Sequence, residues 1–513
     1  MTTQTIRNGT SIEVVIPTGQ TLKVVAVSGT YNASVVRGTG IGTTLSTLAT
    51  GASYGPYAYD RVVRLVSSDA SEIDFDVAVT PDVATDTVAN YAFDPLTGNV
   101  TGLVGPGGVV VSKPWSVAAK TKGTIGSRCV ALVNTPSFAL SATTYTWSLA
   151  CAIPADAIAV QIIALNAQAA TVAGVTGAVS IGATKTDMLN NAGTWTAATW
   201  SGVSSVTLPT ATSAAPVFTI SDWIPVTPAT STFSSSAGLP LQMCYARIMT
   251  PSSNTSVSLA GYTGSSSAWE TIADNNVRGV RYQSGDFVAS PSGMTGSSNP
   301  QNAPVVGVRY MTKSSNTSDV MLLGDSIEFG FGPTIAGNSW GHLACNALST
   351  GAGSIYSCNN HGYSGQTTSQ ILTRALAIIP QFKPNIVIFP AFSPNDGTPT
   401  QAVINTQIYN IRRITDLCLS NGALPIIVQG FPKATDVTNT VASWTVGQDA
   451  FRTALNSLSA SGAVVYVPHG MGNGASPELW SSASYQMDGI HLGDTGAAAL
   501  SSIVQDAIRG AGF

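Results

Sequence analysis

Ser326 stands in Gly324-Asp325-Ser326-Ile327, directly after the apolar run Val320-Met321-Leu322-Leu323. A serine hydroxyl is a poor nucleophile at neutral pH unless a base takes its proton in the transition state. The chain has four histidines from which to draw that base: His342, His361, His469 and His491. His342 falls in a helix expected after the serine, and His469 at the end of the last expected strand. His491 belongs to Met487-Asp488-Gly489-Ile490-His491-Leu492, a loop opening the final expected helix, with Asp488 three residues before it. One loop thus offers an imidazole and the carboxylate that would fix its tautomer and stabilise the imidazolium. The chemistry indicated is acyl transfer through a serine.

Acyl transfer also needs donors for a developing oxyanion. Asn360-His361-Gly362-Tyr363-Ser364-Gly365-Gln366-Thr367 offers the backbone N–H of Gly365, and Ser393-Pro394-Asn395-Asp396 offers the Asn395 amide. The N–H of Ser326 is the third donor. Gly-Asp-Ser alone carries little in a chain with 50 glycines. The same composition yields two G-x-S-x-G matches, at Gly51–Gly55 and Gly337–Gly341, which mimic a nucleophile elbow but follow no buried strand. Other residues near these loops are candidate substrate contacts: His361 beside Gly365, and Trp444, Trp480 and Tyr485 as sugar-stacking aromatics. A hydrogen-bonded structural histidine is the alternative for His361, and core or rim packing for the three aromatics. Glu328 reads as solvent-facing or as a cap of the turn after Ser326.

The elements that must position these groups change character along the chain. From residue 1 to 81 short alternating strands such as Ser11–Ile16 and Arg61–Val66 indicate a small all-β module. Residues 82–113, rich in Gly, Pro, Asn and Thr, read as a linker with one strand. Residues 114–315 hold six of the nine tryptophans and many short strands, which suggests a β-sandwich or jelly roll. From residue 316 to 513 apolar runs alternate with helix-length segments. The runs are Val320–Leu323, Ile386–Phe389, Pro425–Val428 and Ala463–Val467. The helices are expected at about Trp340–Leu348, Thr368–Ile379, Gln401–Leu419, Gln448–Ser459 and Asp494–Arg509, with Asp494-Thr495 capping the last. Such alternation means a parallel sheet covered on both faces, with the ligand crevice beyond the carboxyl ends of its strands.

The four blocks around Ser326, Gly365, Asn395 and Asp488–His491, in this order, resemble the GDSL/SGNH hydrolase family over about Asp319 to Phe513. The resemblance implies a serine esterase on a small α/β/α sandwich with a five-stranded parallel sheet. It makes Ser326 the nucleophile, Gly365 and Asn395 oxyanion donors, and Asp488 and His491 the acid and base. One departure stands out: the family pattern is G-x-N-D, whereas this chain has Ser393-Pro394-Asn395-Asp396. Proline stiffens that loop without removing a donor of Asn395.

Composition bounds the partners. Charged residues are 9% and the formal charge is −4, so no basic field invites nucleic acid. No apolar run approaches the roughly 20 residues a bilayer needs, so no membrane partner is expected. The six cysteines are scattered without a C-x-x-C pair, which argues against zinc and a disulfide scaffold. Cys345 and Cys358 are a candidate pair, with free buried thiols as the alternative. No metal or cofactor is expected. Met1–Arg7 lack the basic start and apolar stretch of a secretion signal, yet the Ser/Thr/Gly-rich texture suits work outside a cell. A virion protein released by lysis fits both observations, and a removed signal is the rival explanation. The β-rich half also resembles accessory domains of phage tail proteins, in phrases such as Ser221–Val226 and Leu239–Met243, and Phe93–Gly98 with its Gly/Val-rich sequel looks like a tail-fibre linker. That resemblance implies a tailspike or fibre, on the virion or extracellular, acting on an acetylated cell-surface polysaccharide. Its partners would be other virion proteins, its state a homotrimer, and residues 1–81 an attachment or oligomerisation module. A secreted carbohydrate esterase or lipase and a non-catalytic glycan-binding fibre remain the alternatives.

Overall fold

A computed structural model describes the backbone of ten strands between residues 4 and 104. From residue 124 onward it describes all residues except 130–137, 140–142, 167–168, 183–188, 213–214, 230–231, 235–237, 254–257, 260–276, 296–304, 314–316, 335–337, 350–353, 398–399, 432–463, 472–480 and 512. The chain divides into two units, Met1–Val88 and Ala89–Phe513. The first holds two four-stranded antiparallel sheets. One orders Gln4–Ile6, Ile73–Ala78, Thr21–Val27 and Ser53–Tyr54; the other orders Ser11–Ile16, Arg61–Ser67, Tyr31–Arg37 and Gly40–Leu45. Val, Ile and Thr, which suit a pleated surface, recur in most of these strands. In the second unit, the stretch read as a linker carries two strands rather than one, Asn90–Phe93 and Val100–Val104, paired antiparallel.

The main strands of the second unit are β1 (Ile125–Cys129), β2 (Tyr145–Pro154), β3 (Ala157–Asn166), β4 (Val172–Gly182), β5 (Val217–Ile220), β6 (Pro240–Thr250) and β7 (Val277–Ser284). They continue with β8 (Val305–Thr312), β9 (Thr317–Gly324), β10 (Ile355–Gly362), β11 (Ile386–Pro390), β12 (Leu424–Val428) and β13 (Val465–Val467). Ten strands form one sheet in the order β5-β3-β8-β1-β10-β9-β11-β12-β13, with Ile224–Pro225 also on β3. From β10 to β13 the pairing is parallel throughout. The expected five parallel strands are therefore present, but as part of a mixed sheet. β1 joins β10 parallel through the single pair Cys129–Asn359, and β1, β8, β3 and β5 continue antiparallel. One sheet thus contains strands from both sides of the boundary expected near residue 315: β1, β3, β5 and β8 before it and β9 to β13 after it.

The second sheet is antiparallel and has β4, β6, β2 and β7 as its consecutive long strands. Its Trp147, Leu149, Val179, Ala246 and Ile248 pack with Val160, Ile162, Ala164, Val308 and Tyr310 of β3 and β8. Side chains alternate along a strand, so Ile163 and Leu165 of β3 face the other way, into the core that also holds Val320, Leu322, Ile388 and Ile427. β3 is apolar on both faces because each covers a different core.

Four helices longer than one turn are described around the parallel strands. α2 (Trp340–Leu348) and α3 (Thr368–Phe382) follow the one-turn α1 (Ser326–Phe329); α4 (Gln401–Ser420) and α5 (Asp494–Gly510) come after them. These match the expected positions, and Gln448–Ser459 lies outside the described residues. α2 pairs with α5, and α3 with α4. The crossover from β9 goes to β10 on one side, while β11 lies on the other side of β9. Right-handed crossovers therefore send α2 and α4 to opposite faces, and the ends of β9 and β11 flank a topological switch point. Cys129, Cys151, Cys244, Cys345, Cys358 and Cys418 are all buried free thiols. No helix among the described residues is long and apolar enough to cross a membrane.

The seam between the parallel and antiparallel parts is polar and buried. Asp319 accepts from Ser127 N at 2.9 Å, Ser127 Oγ at 3.2 Å and Asn359 Nδ2 at 3.1 Å. Arg128 donates to Ser357 Oγ at 2.6 Å. Burial pushes the Asp319 carboxyl up to about 6, against the opposing pull of Arg309 and of these hydrogen bonds. A carboxyl raised in the folded state holds its proton longer than in the unfolded chain. Stability is therefore lost as pH rises from the unfolded value through about 6. Asp319→Asn, which cannot ionise, removes this term. Urea unfolding at pH 4.5 and 7 is expected to show the stability difference, wild type minus variant, falling by about 1–3 kcal/mol at the higher pH. A difference that does not change with pH would contradict the assignment.

Candidate active site

Ser326 begins α1 at the carboxyl end of β9, and the turn is set by an aspartate–glutamate capping box. Asp325 accepts from Ile327 N at 2.9 Å, and Glu328 accepts from Asp325 N at 3.1 Å. Glu328 is buried, so its capping role is the one observed and the solvent-facing reading is wrong. Burial, with repulsion from Asp325, holds its carboxyl well above the usual range. Gly330 closes the turn in the left-handed region, where glycine carries no Cβ penalty.

The turn lies tightly on the strand ends. Gly324 and Gly362 are register partners at the ends of β9 and β10. A Cβ on Gly362 would stand 2.1 Å from Phe329 N, and one on Gly324 would stand 2.0 Å from Glu328 Oε2. Two side-chain-free positions thus let α1 fold down over the sheet.

The loop before α5 brings in the other two groups. His491 Nε2 lies 2.9 Å from Ser326 Oγ, and its Nδ1 lies 2.7 Å from Asp488 Oδ2. Asp488 Oδ1 accepts from the backbone of Ile490 and His491 at 3.1 and 2.9 Å, which fixes the carboxylate before the imidazole uses it. Partial burial raises the Asp488 pKa, but the bonds from His491 and Ile490 outweigh it and hold the carboxyl below its ordinary value. Phe331, 46% exposed, lies with its ring centroid 4.6 Å from that of His491. Asp494 does not cap α5, contrary to expectation: Gly493 is the cap residue. Asp494 instead accepts from Thr334 N and Oγ1 and from Asn338 Nδ2, tying the chain beyond α1 to the start of α5.

The other three histidines are structural. His342 is buried against Ser339 Oγ at 2.6 Å, which also removes the second G-x-S-x-G serine from consideration. His469 stacks on Phe431 at 4.5 Å and its Nε2 meets Gly430 O at 3.1 Å; burial lowers it to about 4. His361 is 1% exposed, edge-on to Phe218 and Phe382 at 5.1 and 4.9 Å. Its ring nitrogens have no hydrogen-bond partner among the described residues, and burial with Arg374 nearby lowers it to about 3. It is a core residue packed between aromatic rings, neither a substrate contact nor the hydrogen-bonded structural histidine expected as the alternative. Tyr485 is half-buried, with part of its ring packed against the core. Trp444 and Trp480 lie outside the described residues.

The oxyanion candidates sit at the ends of β10 and β11. Gly365 is exposed at φ +78°. Ser393 caps the single 3-10 turn Pro394–Asp396 and accepts from Asn395 N at 3.2 Å. Pro394 occupies the first position of that turn, where a missing N–H costs nothing. The departure from G-x-N-D is therefore a built cap. Asn395 Nδ2 donates to Gln366 O and to Ser393 Oγ, each at 3.1 Å. Asp396 accepts from Thr368 N at 2.9 Å and from Gln407 Nε2 at 2.9 Å, pinning the turn to α3 and α4. Sequence reasoning missed Asp325, Ser393, Asp396 and Asp494 as site supports. The spacings Asp325-x-x-Glu328 and Ser393-x-x-Asp396 carried a capping signal for the first three. Asp494 had no comparable one. No group of His, Cys, Asp and Glu that could hold a metal ion occurs among the described residues.

Residues 322–499 match the GDSL-like Lipase/Acylhydrolase family. No curated protein matches the chain. Among solved structures, a GDSL-like lipase from Bacteroides thetaiotaomicron VPI-5482 is 19% identical, covering 38% of this chain and 89% of its own at TM-score 0.30. The esterase EstA from a Pseudoalteromonas species is 16% identical, with 38% and 97% covered and TM-score 0.29. A carbohydrate esterase family 2 enzyme with a carbohydrate binding domain, from Corynascus thermopiles, is 14% identical, with 75% and 99% covered and TM-score 0.30. The C-terminal part of this sequence, residues 322–499, is thus a GDSL-like lipase/acylhydrolase domain.

Proposed function

We propose that this chain is a serine ester hydrolase that removes O-acetyl groups from a bacterial surface polysaccharide, as part of a phage tail protein. The observation that carries the esterase reading is His491 standing within hydrogen-bond reach of both Ser326 Oγ and Asp488 Oδ2, at 2.9 and 2.7 Å. His491 Nε2 takes the hydroxyl proton as Ser326 Oγ attacks the ester carbonyl carbon. Asp488 accepts from Nδ1–H and stabilises the imidazolium so formed. The carbonyl oxygen becomes an oxyanion facing the N–H groups of Ser326 and Gly365 and the Asn395 amide. Asn395 has two amide hydrogens engaged at rest, so one contact yields as the oxyanion forms. Collapse expels the alcohol, which leaves with the proton from His491. Water, activated by the same imidazole, then attacks the acyl-serine and returns the enzyme to its resting state.

The substrate proposal rests on composition and on the resemblance of the β-rich half to tail accessory domains. A chain with 9% charged residues offers neutral polar contacts, which suit a sugar polymer. The proposed setting is a virion or an extracellular one, with residues 1–81 attaching to other virion proteins or building a homotrimer.

Ser326→Ala is expected to lower turnover of p-nitrophenyl acetate by about 10⁴-fold or more, and Asp488→Ala by about 10²–10⁴-fold, both with unchanged circular dichroism. Undiminished acetate release by Ser326→Ala would end the esterase reading and favour a non-catalytic glycan binder. Across p-nitrophenyl esters of increasing chain length, kcat/KM is expected to be greatest for acetate, and acetylated polysaccharides are expected to release acetate. A preference for long acyl chains would remove the deacetylase proposal and leave a lipase.

A further inference from the structure

We propose that Ser393 is a positioning residue that locks the oxyanion loop to the nucleophile turn; this rests on the roles proposed above for Ser326, Gly365 and Asn395. Ser393 occupies the place of the first glycine in G-x-N-D. Its backbone, at φ −105° and ψ 138°, is ordinary for any residue, so conformation does not demand glycine there. Its hydroxyl is buried. It lies 2.5 Å from Asp325 Oδ2 and 2.7 Å from Gln366 O, and accepts from Asn395 N at 3.2 Å and Asn395 Nδ2 at 3.1 Å.

Each partner adjoins, or belongs to, one source of an oxyanion donor. Asp325 precedes Ser326, Gln366 follows Gly365, and Asn395 is the third. One oxygen therefore ties together three loops that leave three different strands, β9, β10 and β11. A hydroxyl has a single hydrogen, so only one of the two acceptors takes it. When the Asp325 carboxyl is protonated it donates to Ser393 Oγ, which passes its own hydrogen to Gln366 O; Asn395 N then takes the remaining lone pair, and Asn395 Nδ2 turns to Gln366 O alone. When the carboxyl is ionised it receives the Ser393 hydrogen, and Asn395 Nδ2 serves Gln366. The oxygen stays the shared centre in both states. A glycine or alanine at 393 leaves the gap between Asp325 and Gln366 without a bridge and Asn395 N without its cap. The donors then lose registration with Ser326, a displacement that acts on the transition state more than on substrate binding.

The test compares Ser393→Ala and Ser393→Thr with wild type on p-nitrophenyl acetate, with kcat and KM separated. Inhibition by phenylboronic acid, whose tetrahedral serine adduct places an oxygen at the oxyanion position, and thermal unfolding are measured alongside. Ser393→Ala is expected to lower kcat about 10- to 100-fold, leave KM within about threefold, and weaken phenylboronic acid by a factor like that in kcat. Ser393→Thr, which keeps the hydroxyl, is expected to recover most of the rate. A wild-type kcat in Ser393→Ala overturns the inference while leaving the esterase reading intact, provided Ser326→Ala is inactive. A loss shared by Ala and Thr that tracks a fall in unfolding temperature also overturns it, since that is a packing role. Activity surviving in Ser326→Ala overturns both.

Discussion

The site depends on two close approaches at strand ends, of Gly362 to the backbone of Glu328 and Phe329 and of Gly324 to the side chain of Glu328. Gly324 and Gly362, paired at the ends of adjacent parallel strands, leave room for Glu328 and Phe329 where any Cβ would collide. α1 can therefore start directly at the end of β9, with Ser326 at its first position. Everything else is aimed at that point. The His491 loop reaches it from the start of α5, and the Ser393 turn reaches it from the end of β11. Move α1 outward by the width of a methyl group and the Ser326–His491 hydrogen bond would need a new geometry. The capping box of Asp325 and Glu328 then holds the turn against those strand ends.

The sheet beneath the site is larger than a parallel hydrolase sheet requires, and the extra strands contribute to it. Phe218, on the edge strand β5, packs against His361 on β10, one residue from the end that carries the loop of Gly365. Asp319 on β9 reaches past β10 to the backbone of Ser127 on β1. Such buried polar contacts cost desolvation and tolerate only one arrangement of partners, so they fix the register of the two parts. The antiparallel strands are thus structural neighbours of the catalytic core and not a detachable attachment. A sandwich that shares a sheet with the hydrolase part also holds its own surface at a fixed distance from Ser326. A free linker would not do so.

Much of this was legible in the residues. Val320–Leu323, Ile386–Phe389 and Pro425–Val428 read as buried parallel strands because both faces are apolar, and they are. Ser326, Asp488 and His491 were legible because one histidine alone sat in a loop with a carboxylate at short spacing. The continuation of the sheet was not. β1, β3 and β8 look like any sandwich strands, and their pairing partners lie up to roughly two hundred residues away, beyond any periodic signal. Asp319 gave no sign of its role for the same reason, since its main acceptor contact is to residue 127. Glu328 misled because a charged side chain after a turn is ordinarily solvated. Only its spacing from Asp325 indicated the buried cap. His361 misled in the other direction, by sitting near Gly365 in sequence while pointing into the core.

The low charge of the chain explains how the site is supported. Asp325, Asp396, Asp488 and Asp494 surround it, and every hydrogen bond described to their carboxyl groups comes from a backbone N–H, a hydroxyl, an amide or, for Asp488, His491. Such bonds are short, directional and little affected by salt, unlike exposed ion pairs. They also demand Ser, Thr, Asn and Gln at particular places: Ser393, Thr368, Gln407, Thr334 and Asn338 each serve one of these carboxyl groups. The abundance of small polar residues that makes Gly-Asp-Ser uninformative by itself is therefore the same supply that builds the frame around Ser326. A lysine or arginine at those places would bring a longer, more mobile side chain and a charge to be desolvated. The neutral donors hold the loops at fixed geometry without adding further charge beside the crevice.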